Sequence, residues 1–151
     1  MSDATSRHRR LIETWYHRMW NRWDKSAIAE ICNPAIVFRG SLGQEKRGHA
    51  GIAEYMDFVR AAFPDFTNTI DEMIAEGDRA FARLTYVGTH EGEIFGVAPT
   101  GRRVTYDGAA VFRFARTGAG AAAPDGGLIR EVWVLGDVHG LLRQLRGEPT
   151  R

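Results

Sequence analysis

Hydrophobic residues recur every four positions at Leu11, Trp15, Met19 and Trp23, with Ile12, Tyr16 and Trp20 one step round the same face. That rhythm predicts a helix over His8 to Trp23 with a broad aromatic stripe, most of it packed into a core. Asp24 suits the N-cap of a second short helix. Asn33-Pro34 ends that helix, because proline disfavours helical geometry in the residue before it. "AIVFR", 35 to 39, reads as a short strand, and the polar, glycine-punctuated "GSLGQEKRG", 40 to 48, as a loop. A third helix begins near His49, buries Ile52, Tyr55, Met56, Val59 and Phe63, and stops at Pro64.

Beyond Pro64 the period changes to that of strands. Phe66 to Ala75 and Arg79 to Glu91 form an antiparallel hairpin joined at Gly77-Asp78, the strongest turn signal in the chain. "GEIFGVAPTGRRV" is a long connection; Val104 to Phe114 and Leu128 to Val138 are the remaining strands, and a Leu-rich helix follows. Between those strands "ARTGAGAAAPDGG" cannot offset its ordering entropy by burial and is expected to be a long, mobile hairpin loop over 116–127. Helices first and antiparallel strands after define an α+β domain with helices on one face of a sheet. Val104 to Phe114 carries apolar residues of both parities, so the opposite sheet face also needs cover, and a homodimer is the expected source.

Size and charge narrow the function classes. The 151 residues fit one domain, 1–151, with 1–7 and 147–151 expected as disordered tails. Twenty basic and nineteen acidic side chains leave a formal charge of +1 with no Lys/Arg block, which argues against a nucleic-acid partner. No apolar stretch reaches bilayer length and the N-terminus lacks an apolar signal core, so no membrane role is expected and the location is read as cytoplasmic. Cys32 is the one cysteine, and the five histidines are scattered, so no metal site is expected.

The chemistry concentrates in "LIREVWVLGDVHGLLRQL", 128 to 145. Strand alternation puts Ile129, Glu131, Trp133, Leu135 and Asp137 on one face; under the helices, that face would make Trp133, with Tyr55 and Trp15, the wall of an apolar pocket. Asp137 then has two readings. Partly removed from water, it is a general acid/base with a raised pKa; as the residue before "VHGLLRQL", it is a helix cap whose anion is stabilised instead. Arg83 and His90 lie on one strand with opposite parity, so only one can face a given cavity. Arg83 is either a catalytic helper or a buried ion pair with an acid such as Glu131, and His90 either a catalytic helper or a solvated loop residue. On the adjacent strand Asp107 and Arg113 share a parity, so one of them is a further candidate for the pocket lining, with an exposed or interface position as the other reading of both. No Ser-His-Asp or Cys-His arrangement is present to support covalent catalysis.

Two stretches carry a family resemblance: "GTHEGEIFGVAPTGRRV", and the ending W-x3-D-x2-GLL-x-QL at Trp133, Asp137, Gly140, Leu141, Leu142, Gln144 and Leu145. With them the chain resembles the SnoaL-like polyketide cyclases of the nuclear-transport-factor-2-like superfamily over nearly its whole length. The resemblance implies a cone-shaped α+β fold, a curved, mostly antiparallel sheet around N-terminal helices, a deep apolar pocket, dimerisation through the convex face and no cofactor. It also implies an aspartate at position 137 acting as general acid/base in an intramolecular aldol condensation on a hydrophobic, oxygenated small molecule. This chain departs by offering Val111 and Arg113 where some such cyclases place a histidine or amide. The same fold also hosts isomerases, dehydratases, hydrolases and pure ligand binders, so a binding or dimerisation module stays open as the alternative.

Overall fold

The computed structural model describes residues 3–115 and 127–148. The expected loop at 116–127 lies outside the described residues except for Gly127, as do residues 1, 2 and 149–151 of the expected tails. The remaining tail residues are ordered. Residues 3–7 form the first turns of α1 (Asp3–Glu13), and Glu148 N bonds Arg143 O at 2.8 Å.

The helix expected over His8 to Trp23 changes character halfway. After α1 the chain continues as a π-helical segment, Thr14–Trp20, whose wider turn brings Trp15, Tyr16, Met19 and Trp20 all into the interior. Asn21 ends it by a peptide-like clasp on the edge strand: its Nδ2 donates to Asn68 O (2.9 Å) and its Oδ1 accepts from Asn68 N (2.8 Å). α2 (Ser26–Ile31) follows, with Asp24 accepting from Ser26 N and Oγ just ahead of it. The helix stops at Ile31, two residues before the expected Asn33, because Cys32 is already extended. Strand β1 therefore runs Cys32–Arg39, longer than "AIVFR".

Inside the expected 40–48 loop, Glu45–Arg47 forms a short strand, β2, paired with the end of β1. Helix α3 (Gly48–Ala62) buries Ile52, Tyr55, Met56 and Val59 as its spacing predicts. Strands β3 (Thr67–Glu76), β4 (Arg79–Thr89), β5 (Arg103–Ala115) and β6 (Leu128–Gly136) complete one six-stranded sheet in the order β2-β1-β6-β5-β4-β3. All pairings are antiparallel except β1 with β6. This is the α+β, nuclear-transport-factor-2-like architecture.

Parity decides which side chains meet the helices. On β4 and β5 the even residues point inward: Ala82, Leu84 and Tyr86; Tyr106, Ala110 and Phe112. Two adjacent cross-strand rows, Ala82–Ala110–Val134 and Leu84–Gly108–Gly136, are built largely of small residues, so the sheet floor is thin there; the Tyr86 ring lies over Gly108 and Ser41 over Gly136.

The terminal motif, Trp133 to Leu145, closes the sheet. β6 stops at Gly136, opposite Gly108, which leaves the first half of β5 without a neighbour on that side. Asp137 N bonds Asp107 O at 2.9 Å, and helix α4 (Val138–Leu145) takes over from there. Gln144 acts as a surrogate peptide, its Oε1 accepting from Thr105 N (2.9 Å) and its Nε2 donating to Thr105 O (2.7 Å). Leu141 and Leu145 bury the inner side of the helix.

Candidate active site

The concave face holds an aromatic chamber. Trp15, Tyr16 and Trp20 come from the π-helical segment, Tyr55 from α3, Tyr86 from β4 and Val134 from β6, with Phe38, Phe66, Ser41 and Asn68 between them. Among the described residues no charged side chain lines it. Its free space for a water-sized sphere is only about 20 Å³, room for a single water. A substrate therefore has to displace side chains to enter, since sites for small molecules usually span roughly 300–1,000 Å³.

The polar groups at this wall are hydroxyls and one amide. Ser41 Oγ and Tyr106 Oη are 2.9 Å apart, and Tyr55 Oη accepts from Leu42 N at 3.3 Å. Asn68 is tied to Asn21, whose Oδ1 also takes Asn68 Nδ2 at 3.0 Å. Tyr16 Oη is buried and makes no hydrogen bond among the described residues. An unpaired buried hydroxyl costs about 1–3 kcal/mol, so this one calls for an explanation.

All four tyrosines of the chain thus converge here. Burial pushes the Tyr55 phenol up to about 12, even with Leu42 N and Ser41 as hydrogen-bond partners. Burial drives Tyr16, Tyr86 and Tyr106 well above the ordinary phenol value, and neighbouring tyrosines add to the effect on Tyr86 and Tyr106. At neutral pH the four are hydrogen-bond donors and cannot serve as bases.

Tyr86 keeps its place through a glycine. A Cβ on Gly108 would stand 2.4 Å from the Tyr86 ring, so only glycine lets the phenol lie across β5. The ring then stacks on Phe66 with centroids 5.6 Å apart and 17° between planes.

Asp137 lies elsewhere. It caps α4, with Oδ1 accepting from Gly140 N at 2.9 Å, and it is exposed. A Cβ on Gly140 would sit 2.3 Å from Asp137 Oδ2, so the glycine of the motif makes room for the carboxylate. Asp137, Asp107, Thr105, Tyr106 and Arg143 border an open cleft of about 520 Å³ beside the chamber. Tyr106 is common to both walls: it is among the residues that border the cleft, and its hydroxyl meets Ser41.

The expected wall divides. Tyr55 and Trp15 line the chamber, whereas Trp133 and Glu131 point to the outer face of the sheet. The even residues of β6, Val132 and Val134, face the helices, and a register shift opposite Arg113/Phe114 turns Ile129 inward, away from the face of Trp133. Trp133 stacks instead under the Arg39 guanidinium, 5.3 Å from its centroid. Arg113 pairs with Glu131 on that surface at 3.2 Å.

Arg83 is also exposed on the outer face, and its acid neighbours are Glu72 (3.7 Å) and Asp71 (3.8 Å) rather than Glu131. His90 is fully buried, not solvated. Its Nδ1 accepts from Thr100 N at 3.2 Å while its backbone pairs with Gly101 and Arg102, so it pins the connection that follows β4. It packs against Phe63, at 5.9 Å between centroids. Tyr16, Ser41, Asn68 and Tyr86 were not singled out as site residues in the sequence. The aromatic stripe contained Tyr16, and the π-helical segment carries it and Trp15 to the same wall.

A helix-lined aromatic chamber against the inner face of the sheet, with hydroxyl donors in its lining, is what this α+β fold builds. The family model of the SnoaL-like polyketide cyclases matches residues 10–145, and the chain belongs to that family. Among solved structures, AclR from Streptomyces galilaeus, a proposed hydroxylase, is 30% identical with a TM-score of 0.70, covering 100% of this chain and 85% of its own. IdmH from Streptomyces antibioticus, a proposed polyketide cyclase, is 26% identical with a TM-score of 0.74, over 91% of this chain and 97% of its own. A proposed SnoaL-like polyketide cyclase from Jannaschia sp. CCS1 shares the fold with a TM-score of 0.83 at 17% identity, covering 99% of this chain and 98% of its own. No curated protein matches the sequence.

Proposed function

We propose that the chain is a cofactor-independent enzyme of the polyketide-cyclase type, acting on a hydrophobic, oxygenated small molecule by enolisation and intramolecular aldol-type ring closure. The observation that carries this reading is the convergence of tyrosine hydroxyls on an apolar aromatic chamber. Ring closure by this route needs no redox partner. A base takes the proton beside one carbonyl, the released electron pair forms a bond to a second carbonyl carbon, and that oxygen receives a proton. Protonated phenols in a dry chamber stabilise the negative oxygen that develops in both steps, and holding the chain folded supplies much of the rest. Family membership and the likeness to IdmH support the same reaction class.

Asp137 is the proposed general acid/base. Its support is its place in the family motif and in the cleft that it shares with Tyr106. Oδ1 is engaged by Gly140 N, which leaves Oδ2 for proton transfer where a substrate reaches from the chamber past Tyr106. Trp15 and Tyr55 serve as walls. Arg83, Arg113, Glu131 and Trp133 belong to the outer face in this reading, and His90 is a positioning residue for the loop beside the chamber.

The test is hydrogen–deuterium exchange at the carbon beside the carbonyl of 2-tetralone, a flat bicyclic ketone, followed by NMR. Wild-type protein is expected to accelerate exchange, and Asp137→Asn, which keeps capping ability, to lose about 100-fold or more of that acceleration. Equal acceleration by both removes Asp137 from the mechanism. Binding of 2-tetralone with no acceleration by either favours the binding-module alternative, for which the engaged Oδ1 of Asp137 is the motivating observation.

A further inference from the structure

We propose that Tyr16 is the ligand-recognition residue of the chamber, donating its phenolic hydrogen to a carbonyl or enolate oxygen of a flat, neutral, fused-ring ketone. This rests on the reading that the concave chamber takes the substrate, and it names the group that selects it. Three other polar side chains at the chamber wall are engaged by the protein. Ser41 meets Tyr106, Tyr55 receives Leu42 N, and Asn68 is clasped by Asn21. Tyr16 Oη is sealed from solvent at the wall with no hydrogen bond among the described residues; the Tyr86 hydroxyl also makes none among them, but it is not sealed in the same way. A protein retains such a group at a cost to its own stability, and a ligand that accepts its proton recovers what folding left unmade.

The surroundings set the chemistry of that ligand. With no charged side chain in the lining among the described residues, an ionic ligand would enter unpaired, so a neutral one is selected. Because burial holds the Tyr16 phenol protonated, the ligand atom that meets it must be an acceptor. The rings of Trp15, Trp20 and Phe66 are flat apolar surfaces, which favour a planar partner. Tyr16 also sits on the π-helical segment, a geometry that occurs frequently at functional sites.

The test compares 2-tetralone with tetralin, the same ring system without the oxygen, by titration against tryptophan fluorescence in wild-type protein and Tyr16→Phe. Wild type is expected to prefer 2-tetralone by about tenfold, the worth of one hydrogen bond, and Tyr16→Phe to lose that preference while tetralin binding changes less than about twofold. The ligand-free Tm of Tyr16→Phe is expected at or above that of wild type, since no bond within the protein is lost. A preference that survives in Tyr16→Phe, or is absent from wild type while tetralin still binds, overturns the role of Tyr16 and leaves the chamber reading intact. A drop of several degrees in Tm also overturns it, because the hydroxyl would then have a partner in the protein. If wild type binds neither compound, the proposal and the chamber reading fall together.

Discussion

Four buried phenols give the protein a distinctive alkaline behaviour. Burial raises each above the ordinary value of 10.0 in the folded state, so the neutral form is favoured there. Their contribution to stability is fully present below the unfolded value, about 10, and is lost as pH rises through the folded values. Phenolate absorbance is therefore expected only together with cooperative alkaline unfolding. Gradual ionisation in a protein that keeps its near-ultraviolet dichroism would contradict the burial of the chamber. The sequence marked Tyr55 and Trp15 for this wall, because helical spacing alone turns them inward. Trp133 and Glu131 lie on the outer face instead, because the parity of an isolated strand names two faces without saying which one the helices cover. The sequence offered both roles of Asp137, and the geometry displays the cap.

Among the elements, α4 shows how one motif can serve the scaffold. Asp137 starts the helix, Gly140 clears space for the carboxylate, Leu141 and Leu145 anchor it, and Gln144 pairs both backbone groups of Thr105. Gln144→Ala is expected to cost about 1–2 kcal/mol in denaturant unfolding and to speed amide exchange at Thr105 by about tenfold. Unchanged exchange at Thr105 would mean that α4 is held by its leucines alone. Helix α3 and the β3–β4 hairpin were legible because their periodicity is strict and Pro64 and Gly77-Asp78 punctuate them. The π-helical segment was not: its aromatic stripe fits 3.6 residues per turn well enough to hide a wider one. β2 escaped because three residues, "EKR", bury no apolar face and gain their pairing only from the neighbouring strand.

The whole molecule presents an apolar row on the convex side of its sheet. Ile74, Phe81, Val111 and Trp133 are successive cross-strand partners over β3, β4, β5 and β6, with Leu135 beside them. Ile74, Leu135 and Trp133 are 58%, 55% and 43% exposed, an unusual outlay of large apolar side chains for a surface in water. We therefore propose that this face forms the homodimer expected from the two-sided apolar pattern of β5. Sedimentation should show a dimer for wild type and a monomer for Trp133→Glu with Leu135→Glu, and a wild-type monomer at micromolar concentration would rule the interface out. That surface is separate from the aromatic chamber, which lies on the opposite face of the sheet. The central claim is that this chamber, rather than the convex face, receives the substrate's ring system, from which the reacting carbon reaches toward the Asp137 cleft. A crystal structure of the protein soaked with 2-tetralone tests it most directly. Density for the bicyclic ring between Trp15, Tyr16 and Trp20, with those side chains moved apart to admit it, is the predicted result; a ligand seated only beside Asp107 and Asp137, with the chamber still closed, would contradict it.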